Sequence, residues 1–369
     1  MTNPNHPTID KIRNDCCLLD GTDFVIPEHV RLISHETFTS APEISVKTII
    51  PDWWAKFFCW CRLIYDLFFA FQLFLAAKKG TVLIINGSRE RLWLFLGFLN
   101  QCPLFRKRVM LLWDVFVEYQ LGRERRFCFF PFLKFKTTWK EKVARFALMG
   151  FDLSVLWSKK QVPAHAEYFQ IPEEKFIYLP YKANHSQYGQ YDISMGRFIF
   201  AGGNGKRDYK CLVDAVRGTE IPVIISATDP VVRKQIDFLP NVMVLGASEP
   251  AFAQLQAASE FIVVPMNDSG LKGGGEANFC NAMWHGKPVI ACCNMAAEDY
   301  IIEGETGFVV PSGDSKLLQK KILELWNDPE RVRKMGRQAR KHAEKHFTQE
   351  IFIRRLLRLA FVLGDESIR

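Results

Sequence analysis

The chain has 369 residues, 48% of them hydrophobic and 24% charged, a balance that excludes a disordered polypeptide and supplies apolar mass for two cores. Its net charge is +8, of which +6 lies before residue 195 together with 21 of the 31 phenylalanines. A basic, phenylalanine-rich front half points to an anionic membrane surface, while +8 over the whole length, with no RRM, KH or helix-turn-helix pattern, argues against nucleic acid. The ten cysteines form no C-x-x-C and have no histidine at zinc spacing, so they read as free thiols of a reducing compartment and no metal site is expected. Residues 1–30 lack the apolar core of a secretory signal, so the expected location is the cytoplasm, peripheral at the inner face of a membrane.

In chain order, residues 1–43 carry four prolines and little periodicity and read as irregular, with no assignable chemistry. Short apolar runs then predict buried parallel strands at 44–50, 81–85, 109–113, 153–157 and 176–179, separated by helical stretches. A polar stretch, 184–195, reads as a linker. A second series of strands follows at 198–200, 222–226, 242–245, 261–265, 288–291 and 307–310, closed by helices over 316–326, 329–346 and 349–363. Alternating strands and helices predict an α/β architecture of two doubly wound domains. The domains are expected at 1–190 and 191–346, with 347–369 a helix crossing back to the first.

Two stretches of the back half carry a resemblance. Asn281-Ala282-Met283-Trp284-His285-Gly286-Lys287-Pro288-Val289-Ile290 is followed by Asp299-Tyr300-Ile301-Ile302-Glu303-Gly304-Glu305-Thr306-Gly307-Phe308-Val309-Val310-Pro311. These resemble the C-terminal domain of GT-B glycosyltransferases of family 4, and the helix after the Asp328-Pro329 break continues that pattern. The resemblance implies two Rossmann-like domains facing a central cleft, and transfer of a sugar from a nucleotide-diphosphate donor, UDP- or GDP-linked, with no further cofactor.

Candidate site residues follow from glycine loops placed before helices, where backbone N–H groups and the helix dipole suit a phosphate. The first is Gly202-Gly203-Asn204-Gly205-Lys206-Arg207; Gly202 and Gly203 let the backbone approach a pyrophosphate, and Lys206 and Arg207 would add charge against the leaving diphosphate. The second, Lys272-Gly273-Gly274-Gly275-Glu276, opens the helix that holds Asn281. Lys272, Gly274 and Gly275 are expected on the phosphates, Asn281 on a ribose hydroxyl, and Glu276 on a sugar hydroxyl or, alternatively, as an acid favourable to its own helix start. The family often has two glutamates here; Gly273 and Asn281 stand in those places. Asp299 occupies the position of the family's glutamate at the cleft mouth, and a helix cap is the competing reading.

In the front half, 83–88 and 171–181 are similar to the family's acceptor domain, whose clear first strand is not visible in this sequence. Asp114, after strand 109–113, is the candidate acceptor contact, with helix capping the simpler alternative. Residues 53–77, with ten aromatics broken by Lys56, Arg62 and Asp66, suit a helix lying in a membrane interface, because each charge at mid-bilayer costs about 2.5–3.5 kcal/mol. Residues 123–142 mix cations and phenylalanines in the same way; buried helices are the alternative for both. The reaction the resemblance implies is sugar transfer to a lipid-linked or polysaccharide acceptor at a membrane surface, with retention of configuration. The rival reading is a non-catalytic nucleotide-sugar binder or scaffold at the membrane.

Overall fold

The computed structural model describes residues 7–21, 24–38, 41, 44–50, 62–105, 107–114, 137–185, 188, 196–234, 236–267, 271, 274–292 and 295–368. The chain divides into two compact units, Met1–Leu179 with Ile353–Arg369, and Pro180–Phe352.

In the first unit six strands, β1 Arg31–Ser34, β2 Val46–Thr48, β3 Thr81–Asn86, β4 Val109–Trp113, β5 Leu153–Leu156 and β6 Phe176–Tyr178, form one parallel sheet ordered β2-β1-β3-β4-β5-β6. Every residue of β3 is buried, as a strand covered on both faces requires. The run of connections reverses between β1 and β3, and ligands of open α/β sheets bind beyond the carboxyl ends of the strands at such a switch point. Residues 1–43 are not irregular throughout. They supply β1, the helix Ile9–Asn14 and a 3-10 turn Cys16–Leu19. β1 escapes a pattern search because it is four residues long and ends on Ser34, whose buried hydroxyl donates to the Ile84 carbonyl at 3.0 Å. The early turn is held by the last helix, Gln349–Ile368, where the buried Arg355 donates to Asp20 at 2.7 Å.

In the second unit β7 Ile199–Gly202, β8 Val223–Ser226, β9 Val242–Leu245, β10 Ile262–Val264, β11 Val289–Cys292 and β12 Gly307–Val310 form a parallel sheet ordered β12-β11-β10-β7-β8-β9. Alternate strand residues face opposite layers. Ile199, Ile225, Val263 and Ile290 pack with Leu212, Leu318 and Ile322, while Phe200, Ile224, Val264 and Ala291 pack with Phe279 and Met283. Here the switch point lies between β7 and β10. The stretch expected as linker begins inside this unit, where the amides of Asn184 and His185 donate to Asn281 Oδ1 at 2.6 and 3.0 Å. The crossing between units falls at Leu179–Pro180.

The interfacial segments are only partly described, since 53–61 and 123–136 lie outside the described residues. The helix Arg62–Ala76 is half core, with Phe69, Ala70, Leu73 and Phe74 buried and Asp66 accepting from Arg91 at 3.3 Å. Its other face leaves Leu67, Phe68, Phe71 and Leu75 exposed. Among the described residues no helix is long and apolar enough to cross a membrane.

Candidate functional site

Both glycine loops emerge at the switch point of the second sheet, one after β7 and one after β10. The first bends at Gly203, whose φ of 112° is a left-handed conformation that a side chain disfavours. From there the loop is pinned by its carbonyls. Gly202 O accepts from Arg207 Nε at 3.1 Å and Asn278 Nδ2 at 2.9 Å, Gly203 O from the Tyr209 hydroxyl at 2.6 Å, and Gly205 O from Arg207 Nη1 at 2.7 Å. Lys206 O accepts from the Asn267 amide at 3.0 Å. Asn204 ties the outer side to the loop after β8, its Oδ1 accepting from the Thr228 and Asp229 amides and its Nδ2 donating to Thr228 Oγ1. With the carbonyls engaged, the amides of Asn204 and Gly205 have no acceptor among the described residues. That polarity suits an anion.

Arg207 departs from its expected role. It is 8% exposed, and its guanidinium bonds the loop carbonyls and the Met266 sulfur. Burial lowers its pKa, opposed by the fields of Tyr209 and Glu276, while burial pushes the Tyr209 hydroxyl up to about 12. Arg207 is thus an internal strut, and of the loop's two cations Lys206 is the half-exposed one, held at a left-handed φ of 51°. Two of the three described non-glycine residues with positive φ, Lys206 and Asp114, are predicted site residues, as strained backbone at functional positions leads one to expect.

Of the second loop, Lys272 and Gly273 lie outside the described residues. Gly275, at φ 88°, starts the helix Glu276–Trp284 without a side-chain cap, and the first-turn amides of Ala277 and Asn278 have no acceptor among the described residues. A Cβ on Gly274 would come within 2.6 Å of the Met266 side chain, so the loop is also seated against the strut's partner. Glu276 lies in the first turn, close enough for its charge to act on Arg207. Asn281, expected on a ribose, is 3% exposed, and its Oδ1 accepts from the amides of Asn184 at 2.6 Å and His185 at 3.0 Å. That oxygen is committed to the chain's own backbone. Asp299 follows β11 in the short helix Ala297–Tyr300 and is not its N-cap, which is Ala296.

In the first unit Asp114 follows β4 in a left-handed conformation with φ 60°, beside Gly87, whose amide donates to Trp113 O at 2.6 Å. The same sheet edge holds residues that sequence reasoning passed over. Glu36 Oε1 accepts from Asn86 Nδ2 at 3.0 Å, and the ring of His35 is wholly buried. Burial, helped by Arg89, pushes the His35 pKa down to about 4. The unfolded chain, at the ordinary value of 6.5, binds the proton first, so stability is lost as pH falls from about 6.5 toward 4. The slope is about 1.4 kcal/mol per pH unit for this one residue. Burial likewise pushes His285 and His342 in the second unit down to about 4, adding in the same direction. Urea unfolding at pH 7.5, 6 and 5 is expected to show this decline, and His35→Asn to reduce it for the first unit.

Residues 212–328 match the family described as glycosyl transferases group 1. The chain is 32% identical over 162 residues to D-rhamnosyltransferase WbpZ of Pseudomonas aeruginosa, covering 41% of each chain. It is 39% identical over 64 residues to the capsular polysaccharide biosynthesis glycosyltransferase CapM of Staphylococcus aureus, covering 17% of each. The chain therefore aligns with well under half the length of these curated relatives. Over most of its length it shares the fold of solved structures. HepE of Anabaena, in complex with UDP, superposes with a TM-score of 0.61 at 15% identity over 80% of this chain and 82% of that one. Sucrose-phosphate synthase of Thermosynechococcus elongatus gives 0.56 at 17% over 89% and 81%. The two-domain α/β fold is GT-B.

Proposed function

We propose that this group 1 chain is a glycosyltransferase of the EC 2.4 class that takes a sugar from a nucleoside-diphosphate donor. The carrying observation is the pair of glycine loops brought to one switch point, the first with its Gly202, Gly203, Gly205 and Lys206 carbonyls engaged and its Asn204 and Gly205 amides without an acceptor among the described residues, the second leading into an uncapped helix start. In this reading the amides of both loops and Lys206 hold the diphosphate and stabilise the charge that develops on it as the glycosidic bond to the donor breaks. These groups act in place of a metal ion. Arg207 keeps the first loop in shape. Glu276 stands where it can bond a donor hydroxyl, and Asp299 follows the neighbouring strand. In the first unit Asp114, Glu36 and Asn86 offer acceptors and donors for the hydroxyls of an acceptor sugar. The family resemblance supports retention of configuration in this reading.

HepE is known bound to UDP, which makes UDP the first nucleotide to try, followed by GDP and ADP. Calorimetric titration of one nucleotide to saturation supports the reading, and failure of all three sinks it. The relatives' names, a rhamnosyltransferase and a capsular polysaccharide enzyme, favour a lipid-linked or polysaccharide acceptor. The second reading, a nucleotide-sugar binder without turnover, is favoured by Asn281, which stands in the place of a glutamate and is spent on the linker. Donor binding with no release of nucleoside diphosphate under any acceptor would decide for it.

A peripheral site at an anionic membrane is part of the proposal. The helix Arg62–Ala76 is apolar on both faces, and the face away from the core leaves Phe68 53% and Leu75 53% exposed near the exposed Lys78 and Lys79. The expected result is sedimentation with phosphatidylserine vesicles, weak association with phosphatidylcholine alone, and at least a tenfold loss in a Phe68→Asp, Leu75→Asp variant. Equal binding by native and variant protein would remove this face from the membrane.

A further inference from the structure

The two glycine loops are separated by some seventy residues of sequence, yet they can serve one diphosphate only if their spacing is fixed. Within the second unit a direct side-chain bond spans them. Asn278, two residues into the helix Glu276–Trp284, donates from Nδ2 to Gly202 O at 2.9 Å. The same carbonyl accepts from Arg207 Nε at 3.1 Å, so both of its lone pairs are filled from inside the protein. Asn278 is itself held from behind, its own carbonyl accepting from Gln256 Nε2 at 3.3 Å, and Gln256 is fully buried. The helix that presents the second set of amides is thereby fastened to the residue at which the first loop begins.

We propose that Asn278 is a positioning residue that sets the register of the two loops, so that both present amides to a single diphosphate. The inference rests on the donor reading above. Asn278 does not touch the ligand; its effect passes through the Gly202 carbonyl. Removing its carboxamide frees that peptide to rotate and lets the helix start drift from the first loop. The phosphates lose their fit, whereas the nucleoside does not.

The test titrates native protein and Asn278→Ala with UDP, GDP and ADP, and with uridine, guanosine and adenosine, by calorimetry. The expected result is at least a tenfold loss of affinity for the nucleoside diphosphate that native protein binds, with the matching nucleoside bound within twofold of native. Affinity for the diphosphate kept within twofold overturns the inference and leaves the donor reading intact. Equal losses for diphosphate and nucleoside also overturn it, because they mark general loosening of the unit. Failure of native protein to bind any of the three diphosphates overturns the donor reading and the inference with it. Should Asn278→Ala not fold, Asn278→Ser, whose hydroxyl falls short of Gly202 O, carries the same comparison, with thermal melting as the control.

Discussion

Replacing Arg207 by lysine is expected to weaken nucleoside-diphosphate binding as severely as replacing it by alanine, at least tenfold in each case. The salt dependence of the remaining affinity should be unchanged. The reason is geometric. The planar guanidinium reaches Gly202 O with Nε and Gly205 O with Nη1 from one buried position, and a single ammonium cannot bond both. Gly205 O loses its donor while Gly202 O keeps that of Asn278, so either variant should also lose about 1–3 kcal/mol of unfolding free energy in the second unit, measurable in urea. A residue that instead paired directly with phosphate would behave differently. Lysine would keep most of its Coulombic contribution, and alanine would flatten the salt dependence by removing a screened charge pair. Affinity of Arg207→Lys within threefold of native, with a flattened salt response in Arg207→Ala, would return Arg207 to the phosphate.

The glycine loops were legible because glycine at a strand end before a helix carries its conformational reason in its identity. What was not legible is the direction in which Arg207 points. A loop arginine is rarely buried, so charge alone suggested the ligand. The inward turn depends on carbonyls and on Met266, which lies 59 residues further along the chain. Asn281 shows the same limit. It sits between Cys280 and Ala282 on a buried helix, and a buried amide needs partners; the ones it finds are backbone amides 97 and 96 residues earlier. Helical periodicity records that Asn281 faces inward and says nothing of what meets it. In the first unit β1 was missed for a related reason. Two apolar residues, Leu32 and Ile33, between a charged and a polar neighbour are too short a run to stand out, although pairing with β2 and β3 places them inside the sheet. The strand that carries His35 and Glu36 to the switch point was thus absent from the reading, and those two residues with it.

With Arg207 turned inward, Lys206 carries the charge stabilisation of the first loop, and its removal is expected to fall on turnover. Lys206→Ala should lower kcat by about 10²–10³, equivalent to roughly 2.7–4 kcal/mol of transition-state stabilisation, because the diphosphate gains charge as the bond to the sugar breaks. The backbone supplies a control that separates charge from strain. Lys206 holds φ at 51°, where a residue with a Cβ pays about 1–2 kcal/mol and glycine pays little. Lys206→Gly therefore removes the ammonium while relaxing the loop, and should melt at or above the temperature of Lys206→Ala. If the ammonium matters, both variants lose kcat alike, although the glycine variant is the more stable. If the strained loop conformation were what Lys206 contributes, glycine would hold that conformation at less cost and retain native turnover. The measurement is release of nucleoside diphosphate from the donor that native protein binds. Native kcat in Lys206→Gly would exclude the ammonium from the reaction.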